Sequence, residues 1–208
     1  MAEQCVVRFS EDMLSKRFEE FLSRLQDRGC PPTLLDMFMF QRMMIMNKVV
    51  GMEFLGEESP FIPVIPLMFQ KIPSLMGMVD IGGKRGVVRD YDPIYTDEVS
   101  STKFPYFMLG VEPGRTTEGI PADSAREGFR QARRTPLSVA EAISLAICTE
   151  VLGVFSVGAL GSRNACSKTP CISVDSSTKV PELLSCHLSS VVRPGLAFPS
   201  CAERVCYL

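Results

Sequence analysis

Histidine is almost missing from this 208-residue chain, where His187 is the single example. Any intrachain site that needs two imidazoles is therefore excluded, including the two-His zinc protease helix, the facial triad of non-haem iron and the His-rich metal cages. An excess of positive charge is also missing. Lys and Arg number 22 against 24 Asp and Glu, giving a formal net charge of −2. The broad basic footprint with which nucleic-acid-binding domains neutralise phosphate is thus lacking, and nucleic acid is not an expected partner. The opening residues, Met1-Ala2-Glu3-Gln4-Cys5-Val6-Val7-Arg8, carry no basic segment followed by an apolar stretch, so no secretory signal is visible and the expected location is the cytoplasm. The longest apolar tract, 142–160, contains Ser144, Thr149, Glu150, Ser156 and two glycines. It reads as a buried helix running into a strand rather than as a membrane span.

Hydrophobic residues make up 46% of the chain and charged residues 22%, the balance of an ordinary globular protein with enough length for one full core. Eight cysteines are present. In a chain that is not exported they are expected to be reduced thiols rather than a disulfide framework. Cys148, Cys166, Cys171, Cys186, Cys201 and Cys206 fall in the last third, and Cys166/Cys171 and Cys201/Cys206 share a Cys-x4-Cys spacing. Zinc wants four thiolate or imidazole ligands in a tetrahedron, so Cys166, Cys171, Cys186, His187, Cys201 and Cys206 are the candidate metal ligands. Structural knuckles prefer an x2 spacing, and free cysteine also behaves as a small buried hydrophobe. No cofactor is predicted, with zinc as the alternative.

Ser10 as cap, Glu11 and Asp12 at the positive end of the dipole, and Leu14, Phe18, Phe21, Leu22 and Leu25 at helical spacing predict a helix over 11–28. Gly29 and Pro31-Pro32 end it, and a second helix over about 33–49 is apolar on most faces. Its Met37, Met39, Met43, Met44 and Met46 read as core packing, and the two helices as an antiparallel hairpin. Proline-punctuated, β-branched and aromatic stretches at 61–69, 75–81, 86–89 and 105–111 predict strands, with Pro63 and Pro66 implying an edge or an extended segment rather than a central strand. Gly82-Gly83 predicts a hairpin turn rather than a phosphate loop, since no Gly-Lys-Ser/Thr leads into a helix. A helix is expected over about 118–134, with Arg126, Arg130, Arg133 and Arg134 on one solvated face. Another helix is expected from Thr135-Pro136, with Thr135 as its cap. Strands follow at 154–157, 171–174, 183–188 and 196–198. The expected fold class is α+β in one domain over 1–208, with a helical hairpin over 1–50 and mixed helices packed on segregated, mainly antiparallel strands over 51–208.

Three segments carry a family resemblance: Phe104-Pro105-Tyr106-Phe107-Met108-Leu109-Gly110-Val111-Glu112-Pro113-Gly114-Arg115; Arg134-Thr135-Pro136-Leu137-Ser138-Val139-Ala140-Glu141; and Gly161-Ser162-Arg163 with Ser200-Cys201. Over about residues 60–205 the chain resembles a family of roughly 200-residue bacterial proteins known only as a domain of unknown function. The resemblance implies a small bacterial cytoplasmic protein and no particular activity.

Glu112 and Arg115 flank Gly114 just after a strand, and Asp90-Tyr91-Asp92-Pro93-Ile94-Tyr95 brings carboxylates and phenols together in a turn. Asp90, Tyr91, Tyr106, Glu112 and Arg115 are therefore the candidate ligand-binding residues. No nucleophile-base pair or phosphate loop stands out. The leading expectation is a non-enzymatic protein that binds a small ligand or a protein partner, with self-association open and no membrane contact. The alternatives are an enzyme with a carboxylate, Arg and Tyr pocket and a structural zinc protein.

Overall fold

The structure is a computed structural model and describes residues 6–89, 95–99, 102–188 and 192–208. Helix α1, Glu11–Asp27, starts where the sequence predicts: Ser10 is extended and its Oγ accepts the Met13 amide at 3.3 Å, while Leu14, Phe18, Phe21 and Leu25 form the buried stripe. Helix α2, Pro32–Val49, returns along α1, with Arg42 bonded to Ser15 at 2.6 Å and to Glu19 at 2.9 Å.

The methionine expectation holds only in part. Met46 is in the core and Met37 packs against it, but Met39, Phe40, Met43 and Met44 are exposed. A helix that is apolar all round carries no internal sign of its buried side. Here α1 and a sheet cover the side of Leu34, Phe38, Gln41, Ile45 and Val49 and leave the opposite one bare.

That sheet has three antiparallel strands in the order Glu203–Val205, Tyr106–Val111, Ser59–Val64. The middle strand is buried along its whole length, and Pro63 sits on the edge strand, where its missing N–H costs no ladder bond. Phe107 locks helices to sheet, its ring centroid lying 5.7 Å from Phe18, 5.4 Å from Phe38 and 6.0 Å from Phe61. A second sheet runs Leu196–Ala197, Ser156–Gly158, Thr169–Val174, Pro181–Cys186, Val87–Val88, antiparallel inside and parallel at both edges. Helix α5, Val139–Cys148, is buried at every position and touches both Ser59–Val64 and Thr169–Val174. Ile172 and Leu183 join the main core with it, while Cys171 and Cys186 point to the opposite face, where Ala125 and Phe129 of α4, Ala122–Gln131, complete a smaller apolar cluster. The fold is α+β.

Three local expectations change. Residues 75–81 are not a strand: Pro73 near a helix start gives the short helix α3, Ile72–Met76, followed by a hairpin in which Asp80–Ile81 pairs with Lys84–Arg85 across Gly82-Gly83. Thr135-Pro136 pairs with Ser200–Cys201 as a short strand, and the cap of α5 is Ser138, in a capping box with Glu141. Helix α4 ends at Gln131, so Arg133 and Arg134 lie beyond it and no four-arginine face forms: Arg126 pairs with Glu98, Arg130 with Glu127, and Arg134 turns inward. Among the described residues no helix is long and apolar enough to cross a membrane.

Candidate functional site

The strand Tyr106–Val111 organises two polar sites, one at each end. At its C-terminal end Glu112 exchanges backbone hydrogen bonds with Ser200, at 2.9 and 3.1 Å. The Glu112 carboxylate then turns back onto the following loop, accepting from the Gly114 amide at 2.9 Å, the Thr116 amide at 3.4 Å and the Thr116 hydroxyl at 3.2 Å. Gly114 has φ +115, and a Cβ there would lie 2.8 Å from that of Ala197, so only glycine lets this loop close on the adjoining chain. Arg115 starts the next turn and pairs through Nε with Glu57 at 2.5 Å.

These residues wall a cleft of about 590 Å³, bounded on the far side by Ile120, Ala125, Gly128 and Phe129 and above by Leu55. Its floor is an ion pair that the sequence does not announce. Arg134 donates to Glu58 at 2.6 Å, to the Ser200 hydroxyl at 2.8 Å and to the carbonyls of Gly110 and Ser200 at 2.5 and 3.1 Å. Glu58 in turn accepts the Leu55 amide at 2.9 Å, and both side chains are largely buried, at 8% exposure for Glu58 and 18% for Arg134. A neighbouring groove of about 230 Å³ shares Glu57, Pro113 and Arg115 with the cleft, so the Arg115–Glu57 pair stands between the two.

Tyr106 belongs to the other end, about 20 Å away along six residues of extended chain. It is buried, and its hydroxyl donates to Glu141 at 2.7 Å. Burial first, then the charge of Glu141 and the bond to it, push the phenol far above its ordinary pKa. Glu141 has no exposed surface and also accepts the Ser138 amide at 2.7 Å and Arg204 at 2.5 and 2.8 Å. Burial alone would lower the Arg204 pKa, but the Glu141 bonds and charge outweigh it and hold the guanidinium charged. Beside this network Ser162 donates to Asp97 and accepts the Val139 amide at 2.8 Å, and burial raises the Asp97 pKa. Asp97, Lys103, Tyr106 and Ser138 line a cavity of about 260 Å³.

Of the five candidate ligand-binding residues, the structure therefore joins Glu112 and Arg115 in the large cleft and puts Tyr106 in a different site. Asp90 and Tyr91 lie outside the described residues. The six candidate zinc ligands are dispersed: Cys166 is exposed, Cys171 and Cys186 enter the smaller apolar cluster, Cys201 lies in the main core with its thiol pushed up to about 12 by burial, and Cys206 donates to the Pro105 carbonyl at 3.6 Å. His187 lines a separate pocket with Arg126 and Arg163. Among the described residues no three His, Cys, Asp or Glu side chains are grouped to hold a metal. Arg134, Glu58, Glu141, Arg204 and Asp97 are the polar residues that sequence reading missed. Only Ser138-x-x-Glu141 carried a readable signal, that of a capping box.

Comparison with family models, with curated proteins and with solved structures gave no match.

Proposed function

We propose that the chain is a binding protein for a small, mainly apolar ligand with one hydrogen-bond-accepting end, seated in the 590 Å³ cleft. The volume is in the range that encloses a drug-sized molecule. The observation that carries this reading is how the polar groups of the cleft are used. Arg134, Glu58 and Glu112 are engaged with the protein itself, while Arg115 is tied to Glu57 through Nε and its two terminal nitrogens make no hydrogen bond among the described residues. Arg115 lines the cleft with those nitrogens open to a ligand acceptor, and Leu55, Ile120 and Phe129 offer apolar contact to its body. Three carboxylates against two guanidiniums leave surplus negative charge around the cleft, so an uncharged acceptor suits it better than an anion.

Nile red, an apolar dye with a carbonyl end, tests the reading. The wild-type chain should bind it saturably with one-to-one stoichiometry. Gly128→Phe should abolish binding while preserving the fold, because a Cβ at Gly128 meets nothing within 4 Å and the ring would enter the cleft. Binding unchanged by that substitution would place the dye elsewhere and sink the proposal.

A second reading, catalysis, is favoured by one observation: Asp97, a carboxyl held above its ordinary pKa, opens with Lys103 onto the smaller cavity. It requires Asp97→Asn to abolish whatever turnover a substrate screen finds while Gly128→Phe leaves it intact.

A further inference from the structure

We infer that the pocket between α4 and the strand Thr169–Val174 binds a phosphate group, either free phosphate or the phosphate end of a small monoester. The pocket holds about 200 Å³ and is lined by Asp123, Arg126, Arg163, Ser167, Thr169 and His187. That volume is below the range that encloses a drug-sized molecule and suits a group of a few heavy atoms. The large cleft is a different site, taking Ser124, Ala125 and Gly128 from another face of α4.

Three donors here are unused by the protein. Nη2 of Arg126 is buried and finds no hydrogen-bond acceptor, and the one bond of that guanidinium is a long one, from Nη1 to Glu98 at 3.4 Å. Arg163, on the short strand Ser162–Asn164, donates through Nε to Glu98 at 2.7 Å and through Nη1 to the Ser167 carbonyl at 3.2 Å, which leaves its Nη2 uncommitted. Thr169 is 2% exposed, and its hydroxyl has no hydrogen-bond partner among the described residues. Strand alternation aims Thr169 at α4: it lies two residues from Cys171 and opposite Cys186, and both cysteines enter the apolar cluster that α4 completes. Polar groups so enclosed are nearly always hydrogen-bonded in folded proteins, so their convergence on one small pocket calls for an acceptor from outside.

Charge makes that acceptor an anion. Burial first, then the charge of Arg163, lower the Arg126 pKa, and Glu98 and Asp123 do not offset them. A guanidinium keeps its proton in a protein, so the strain is relieved by an added anion and not by a lost proton. Asp123 is the only acid lining the pocket, while Glu98 bridges the two guanidiniums without lining it. Helix α4, ten residues long and without a side-chain cap, starts at the pocket with Ala122 and Asp123 and adds the positive end of its dipole. His187, exposed and without a hydrogen-bond partner among the described residues, supplies a further donor. Donors that come from a helix and two strands need acceptor oxygens in several directions. A carboxylate has two oxygens in one plane, whereas the tetrahedral oxygens of phosphate meet both guanidiniums and the hydroxyl at once.

Titration calorimetry of the full chain at neutral pH with inorganic phosphate and with glycerol 3-phosphate, between about 10 µM and 10 mM, tests this. Both should bind one to one, and acetate about tenfold more weakly or worse. Tighter binding of phosphate than of the monoester assigns the site to the free anion, and the reverse order to a phosphorylated metabolite. Arg126→Gln and Arg163→Gln should each weaken phosphate binding by about tenfold or more, and Thr169→Val by about two- to tenfold. Arg130→Gln, at an exposed position one turn further along α4, should bind as the wild type does. Unfolding without phosphate should stay cooperative in all four variants, and added phosphate should raise the melting temperature of the wild type but not of Arg126→Gln. A wild-type chain that shows no saturable phosphate binding overturns the inference, as do acetate bound as tightly as phosphate, binding that survives both Arg126→Gln and Thr169→Val, or binding lost in Arg130→Gln.

Discussion

Replacing Glu141 by Gln removes one charge from the centre of the molecule and almost nothing else. The carboxylate is fully buried and serves the Tyr106 hydroxyl, the Ser138 amide and two nitrogens of Arg204, whose side chain is 11% exposed. Gln keeps the shape and one acceptor oxygen, but its amide turns N–H groups toward a guanidinium that is itself only a donor. Arg204 is left charged and desolvated, with the Pro136 carbonyl at 3.0 Å and one of its two bonds at position 141, and with no carboxylate to balance it. Removing one partner of a buried pair costs about 3–5 kcal/mol. For a domain of this length that lowers the melting temperature by roughly 6–20 °C. Urea unfolding at neutral pH should show the lower midpoint with an unchanged slope. High salt should leave the deficit intact, because screening does not reach a buried pair. The triple variant Tyr106→Phe, Glu141→Leu, Arg204→Met, which removes the side-chain donors and the acceptor together, should recover part of the loss, since the desolvation cost of the pair disappears with it while the Ser138 amide is left without its acceptor. A deficit below about 1 kcal/mol for Glu141→Gln would put the pair in the range of exposed ion pairs and refute the argument.

Other outcomes follow from single contacts. Gly128→Ala, in the interior of α4 with open space around the new methyl, should stabilise by about 0.5–1 kcal/mol in the same urea assay. Gly161→Ala should do the reverse, because its Cβ would lie 2.8 Å from the Leu137 carbonyl carbon and oxygen, which are backbone and cannot swing away; a neutral result would mean this approach relaxes freely. Asp97 sets a pH dependence with a definite sign. Its folded pKa is raised, so the folded chain binds the proton more tightly than the unfolded one, and the contribution of Asp97 to stability falls as pH rises from the ordinary carboxylate range through the raised value. Asp97→Asn should therefore gain on the wild type as pH rises from about 4 to 8, and a difference that is flat or opposite in slope would contradict the burial that raises the pKa.

Much of the fold was legible because its signals are short-range. A cap, two acids and a four-residue spacing suffice to write α1, and Gly82-Gly83 between extended residues suffices to write a hairpin. Glu112 and Arg115 were legible as a site because a polar pair around a glycine after a buried strand is a local pattern. Their complement was not. Arg134 read as one more arginine on a solvated helix face, and nothing near it in sequence shows that the helix ends three residues earlier or that Glu58 awaits it 76 residues upstream. The segment that follows Pro73 and the pair Thr135-Pro136 were misread for a related reason, since proline fits a helix start and an edge strand equally well and only the neighbouring chain decides.

The sequence by itself determined the α+β class, the helical hairpin, the exclusion of Pro63 from a central strand and the polar turn after the central strand, each from interactions within a few residues or from the period of apolar side chains. Tertiary structure alone decided which side of α2 is bare, since a helix apolar all round is oriented only by what packs on it. It alone also decided that Glu141 and Arg204, 63 residues apart, meet in the core. A pair of charges so far apart in sequence is indistinguishable from two surface residues until the chain closes around them and removes the water.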